Sequence, residues 1–172
     1  DHKTYNLYFL GKAKISPELF VTITSSRKYD RTAVSVFSGK IIIFERITGR
    51  YLRVIDTEGI PAKRLLILEG FGFIVAEFPS ELALFSLSGD KIRSMKINYE
   101  IFFLSSFVSE DGFDYLFMSD KRGQTMIIEA FTFKVVEKSG HNINTTIIDI
   151  NYIPSLGSLL ILTQDGKLFS FS

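Results

Sequence analysis

Apolar positions in this chain fall in short bursts rather than at helical spacing. The stretch SGKIIIFERITGRYLRVID, residues 38–56, shows the form: an apolar run, a break at Thr48-Gly49, then a second run. Runs rich in β-branched and aromatic residues, bounded by turn residues, predict strands, and two joined by a short connector predict a hairpin. The form returns as SELALFSLSGDKIRSMKI (80–97), GQTMIIEAFTFKVVEKSG (123–140) and GKLFSFS (166–172). With Phe44, Phe85, Ile128 and Phe171 in register, the copies lie 41, 43 and 43 residues apart. A polar residue stands four positions earlier each time: Lys40, Glu81, Gln124 and Lys167.

The flanks repeat as well. Immediately upstream are TAVSVFSG, FGFIVAEFPS, YLFMSDKRG and SLLILTQDG, and before them ELFVTITSS, KRLLILEG, IFFLSSFVS and TTIIDINYIP. Each unit therefore reads as four short strands. The units span roughly 18–57, 60–98, 100–139 and 144–172, and the last stops after its third strand. A period of 40–45 residues with four strands per unit is the pattern of β-propeller blades. The expected fold class is all-β, a β-propeller of about four visible four-stranded antiparallel blades. One such sheet cannot cover both of its faces, whereas radial stacking buries face against face and leaves short edges. A non-repetitive β-sandwich of hairpins is the competing arrangement. The shared register of strands and turns favours blades. Residues 5–10, YNLYFL, read as a strand of a neighbouring or closing blade, and four units suggest a part of a larger seven- or eight-bladed ring.

Composition narrows the function. The 172 residues carry 20 Lys+Arg against 19 Asp+Glu, so no electrostatic footprint for nucleic acid is expected. There is no cysteine, which excludes disulfides, thiolate metal sites and cysteine nucleophiles. No apolar run approaches the roughly 20 residues of a membrane-spanning helix. A cytoplasmic protein is expected, peripheral to intracellular membranes at most.

The sequence resembles the WD-repeat propellers. The fourth unit matches best, with Gly140-His141 before its first strand, Thr163 in the second, Asp165 in the following turn, and Phe171-Ser172 where Trp-Asp would stand. The third unit has Ser119 and Asp120 in the matching places and closes on Ile128-Glu129; the first two close on Phe44-Glu45 and Phe85-Ser86. The resemblance implies a structural hydrogen-bond network at His141, Thr163 and Asp165. Trp is absent throughout, so that network is complete in no unit. The phrase LALFSLSGDKIRSMKI also resembles one in the carboxy-terminal propellers of BEACH-domain proteins, which implies vesicle trafficking.

Candidate chemistry is sparse. A triad reading would pair His141 with Asp149 or Asp165; a hydrogen bond tying the connector to a turn accounts for the same residues. Glu110, Asp111 and Asp114 lack the spacing of a calcium loop, and no phosphate-binding glycine motif occurs. No metal, cofactor or catalytic residue is expected. The expected function is a non-catalytic scaffold whose partners are other proteins. The rim residues expected to meet a partner are Arg27, Lys28 and Arg31 on one end and Phe78, Lys121 and Arg122 on the other. The alternatives are a propeller hydrolase, or a rim that binds phosphate or lipid headgroups. A hydrolase would need carboxylates converging at the inner blade ends, where Ser, Leu, Phe and Thr stand instead.

Overall fold

The computed structural model describes residues 19–138 and 143–171. Residues 5–10 and His141 lie outside them. Consecutive strands form separate antiparallel sheets. The first is β1 (Phe20–Ser26), β2 (Arg31–Val36), β3 (Lys40–Glu45) and β4 (Tyr51–Asp56). The second is β5 (Arg64–Ile67), β6 (Ile74–Glu77), β7 (Glu81–Phe85) and β8 (Lys91–Lys96). The third is β9 (Phe103–Val108), β10 (Asp114–Ser119), β11 (Thr125–Glu129) and β12 (Lys134–Lys138). The fourth holds β13 (Ile147–Ile153), β14 (Ser158–Thr163) and β15 (Leu168–Phe171), with a 3₁₀ turn at Pro154–Leu156 between the first two. The first strands, β1, β5, β9 and β13, neighbour one another in that order. This is the blade arrangement that the repeat predicts.

The repeat is exact in register. Phe44, Phe85, Ile128 and Phe171 pair with Thr32, Ile74, Leu116 and Leu159, the same place in each sheet. A register shift separates each of the first three from the residue before it, between Ile43 and Phe44, Leu84 and Phe85, and Ile127 and Ile128. A bulge at that place raises the local twist, as a sheet in a propeller requires.

The second sheet shows why its strands read as unbroken apolar runs. Side chains alternate across a strand. Ile74, Ala76, Ala83 and Phe85 pack with Ile41, Ile43 and Leu65 toward the first sheet. Val75, Leu82 and Leu84 pack with Leu116 and Ile128 toward the third. Both faces of β6 and β7 are buried, so no polar alternation survives there, whereas the outer strand β8 is charged and exposed. A third cluster, Phe117, Ile147, Leu159 and Ile161, joins the last two sheets. Phe78 belongs to the first of these clusters and is only 7% exposed. Expected on a rim, its ring instead fills space between two sheets beyond the end of β6.

Polar links fasten neighbouring sheets at one end. The hydroxyl of Tyr29 donates to the Gly70 carbonyl at 2.6 Å, and Lys28 Nζ donates to the carbonyls of Glu69 and Gly70 at 2.6 and 3.0 Å. On the other side of the same turn, Asp114 accepts from the backbone N–H groups of Gly70 and Phe71 at 2.8 and 2.9 Å. Asp114 is 2% exposed, so burial pushes its carboxyl above the usual range, while the two N–H groups and Lys28 pull it back. Asp114→Ala removes the acceptor of two charge-assisted bonds and is expected to cost about 3 kcal/mol, on typical values for such bonds. Urea unfolding measures it. A midpoint within error of the parent chain would show that the turn holds without Asp114.

Candidate interaction surface

The turns β1–β2, β5–β6 and β9–β10 lie at one end, as the links among residues 28, 29, 70 and 114 require. The β2–β3 turn lies at the other end, where the Ala62 N–H donates to Ser35 Oγ at 3.0 Å. The basic residues singled out in the sequence are distributed over both ends and differ in availability. Arg27 is exposed. Lys28 is held by its two carbonyl acceptors. Arg31 is half-buried and donates to the carbonyls of Tyr29 and Asp30 at 3.3 and 2.9 Å, closing its own turn. Lys121 and Arg122 are exposed in the β10–β11 turn, whose Asp120 accepts from the N–H groups of Arg122 and Gln124. The structure therefore does not bring these cations into one patch.

What the first end does present is aromatic. Phe71 and Phe113 lie in the β5–β6 and β9–β10 turns, 50% and 44% exposed, with ring centroids 5.8 Å apart. Each is next to a residue of the buried link, Phe71 after Gly70 and Phe113 before Asp114. Their backbones are thereby fixed while their rings face water. Sequence reasoning passed over this pair. The available signal was a Phe following glycine in two turns at matching places of the repeat, Gly70-Phe71 and Gly112-Phe113.

The remaining candidates are structural in placement. Thr163 Oγ1 donates to Asp165 at 2.6 Å and accepts from the Lys167 N–H at 3.2 Å, while Lys167 Nζ stands 2.8 Å from the same carboxylate. This fixes the β14–β15 turn. In the third sheet the matching hydroxyl, Ser119 Oγ, is buried and meets no partner among the described residues. Asp149 accepts from the adjacent Ile150 N–H. Glu110, Asp111 and Asp114 do not converge, since Asp114 turns inward to Gly70. Among the described residues no group of three His, Asp or Glu is placed to hold a metal, and no helix is long and apolar enough to cross a membrane.

No protein-family model matches the sequence, and no curated protein matches it. Solved structures do match in fold. The computationally designed Ika4 protein superposes with a TM-score of 0.66 at 12% identity, over 95% of this chain and 97% of that one. BBS1N, solved in complex with ARL6DN, superposes with 0.64 at 16% identity, over 86% of this chain and 49% of that one. The Cps50 (Swd1) β-propeller domain of Myceliophteria thermophila gives 0.55 at 13% identity, over 90% of this chain and 69% of that one. The fold is that of a β-propeller.

The Lys167 and Thr163 contacts hold the Asp165 carboxyl down at about 2, against an ordinary 3.8. A depressed carboxyl contributes stability that is complete above its unfolded value and lost as pH falls through its folded one. The carboxyl carbon of Asp165 is therefore expected to titrate near 2 by NMR, and Thr163→Val to move that midpoint toward 3.8. A midpoint already near the ordinary value would show that the turn contacts do not persist in solution.

Proposed function

We propose that this chain is a non-catalytic protein-interaction module. One observation carries the reading: the Phe71–Phe113 pair, exposed on turns whose backbones are held by a buried carboxylate. Aromatic side chains on a rigid platform lose little entropy on binding and are enriched at energetically dominant interface positions. Propellers also place their variable loops at the two ends of a fixed scaffold. BBS1N, similar in fold, was solved with a protein bound, which supports the same use here. A phosphate- or lipid-binding rim fits less well, because the exposed cations Arg27 and Lys121 with Arg122 stand at opposite ends. For the hydrolase reading, no group of three carboxylates among the described residues is placed to hold a metal.

Finer placement follows from the sequence. The phrase at 82–97 supports a carboxy-terminal propeller of a BEACH-type trafficking protein, cytoplasmic and peripheral to intracellular membranes. The division into units at 18–57, 60–98, 100–139 and 144–172 supports a larger ring, with residues 5–10 adding a strand to a neighbouring or closing blade.

Three measurements test the reading. Phe71→Ala with Phe113→Ala is expected to leave unfolding unchanged to within about 1 kcal/mol, since the rings are half exposed. The same double variant is expected to lose most of the proteins that the parent chain captures from a cytosolic extract. An unchanged captured set would remove the aromatic pair as the binding element. Light scattering with small-angle scattering is expected to report association or an arc-shaped particle if blades are missing; a compact 19.5 kDa monomer would instead mean a self-contained ring.

A further inference from the structure

The three clefts between neighbouring sheets are not equivalent. Across the first, Arg53 of β4 donates to the Ser88 carbonyl in the β7–β8 turn. Across the second, Arg93 of β8 donates to the Thr132 carbonyl in the β11–β12 turn at 2.9 Å and lies 5.8 Å from the Phe131 ring. Arg53 pairs with Ile43 and Arg93 with Leu84; the residue in the same register of the third sheet is Glu137, paired with Ile127. The charge at this place is inverted once, and only in the cleft facing the fourth sheet.

That cleft is open, with a volume of about 440 Å³. Its lining includes three carboxylic acids, Glu110, Asp111 and Glu137, and no basic residue among the described ones. Its wall is an aromatic stack. Phe107 lies between Tyr115 and Tyr152, with centroid separations of 5.6 and 5.0 Å and interplanar angles of 20° and 29°. The Tyr115 hydroxyl is pushed above its usual range by burial, then by Asp111, Glu129 and Tyr152. The smaller part of that push, from the Asp111 and Glu129 carboxylates, is what a cation would relieve. Aromatic faces and carboxylates around one hollow suit a basic side chain with an apolar stem.

We propose that the cleft between the third and fourth sheets docks a basic segment of a protein partner, one that sets an arginine or lysine between apolar residues. The cation meets Asp111, Glu110 and Glu137, where the other two clefts carry their own arginine, and the apolar neighbours lie on the Phe107 stack. The inference rests on the reading of the chain as a protein-binding module, but uses a different surface from the Phe71–Phe113 pair.

The test is fluorescence anisotropy on the full chain with two labelled probes, Ac-GLRFRLG-amide and its acidic counterpart Ac-GLEFELG-amide. The basic probe is expected to bind at least about tenfold more tightly than the acidic one, and to weaken as NaCl rises from about 50 to 300 mM, as screened charge pairs do. Glu110→Gln with Asp111→Asn and Glu137→Gln, all on the surface, is expected to weaken the basic probe about tenfold, in line with the loss of several interfacial charge pairs. Tyr152→Leu is expected to weaken it with the salt dependence retained. Circular dichroism confirms that each variant is folded. Equal binding of the two probes, or unchanged binding to the triple variant, overturns the proposal. So does failure of the full chain to bind the basic probe. If the basic probe fails while the Phe71 and Phe113 variant still loses captured proteins, only the cleft is refuted and the interaction module stands.

Discussion

Four-stranded sheets with two apolar faces cannot stand singly, and three of them meet at the peptide groups around Gly70. The Gly70 carbonyl is held from the first sheet by Tyr29 and Lys28, and its N–H is held from the third by Asp114. The residue must be glycine for a steric reason: a Cβ there would lie 2.5 Å from Asp114 Oδ2. Apolar packing supplies the attraction between sheets but is indifferent to small slides. Hydrogen bonds of defined length and direction are not. The link therefore sets the angle and height at which the sheets stack, and the positions of the flanking phenylalanines follow from it.

A second polar link lies elsewhere along the stack. Arg64 donates to the Ile101 carbonyl at 2.9 Å and stands 3.3 Å from Glu77, which is 3% exposed. Burial pushes the Glu77 carboxyl upward, and Arg64 and Lys63 pull it down. Ion pairs of this kind add little net stability, because desolvation opposes attraction, yet breaking one leaves a buried charge. The pair itself lies within the second sheet, where Arg64 and Glu77 face each other across β5 and β6, and it holds Arg64 where its bond to the Ile101 carbonyl reaches toward the third.

The strand pattern was legible because it is local. Period, turn glycines and apolar runs place Phe44, Phe85, Ile128 and Phe171 in one register, and the pairing confirms each. Contacts between sheets were not legible. Asp114 stands in an acidic stretch that reads as a solvated turn, and only the approach of Gly70 from 44 residues away turns it inward. Lys28 reads as a rim cation for the same reason, and its acceptors lie 41 and 42 residues away. Phe78 reads as a turn aromatic because a sequence does not show which turn residues face a neighbouring sheet.

The repeat itself supplies a control that a single domain lacks. Positions serving stacking alone should keep the same chemistry in every sheet, and many do: the bulge before the third strand's last residues recurs in three sheets, and Arg53 and Arg93 make the same link 40 residues apart. A departure from the repeat then carries information. Glu137 is such a departure, since it removes a link between sheets and adds negative charge to a hollow already edged by Asp111. Stacking alone gives no reason for that change, because the aromatic cluster of Phe107, Tyr115 and Tyr152 would pack equally well beside an arginine. A cation supplied from outside the sheet restores the charge pattern that the first two clefts carry internally.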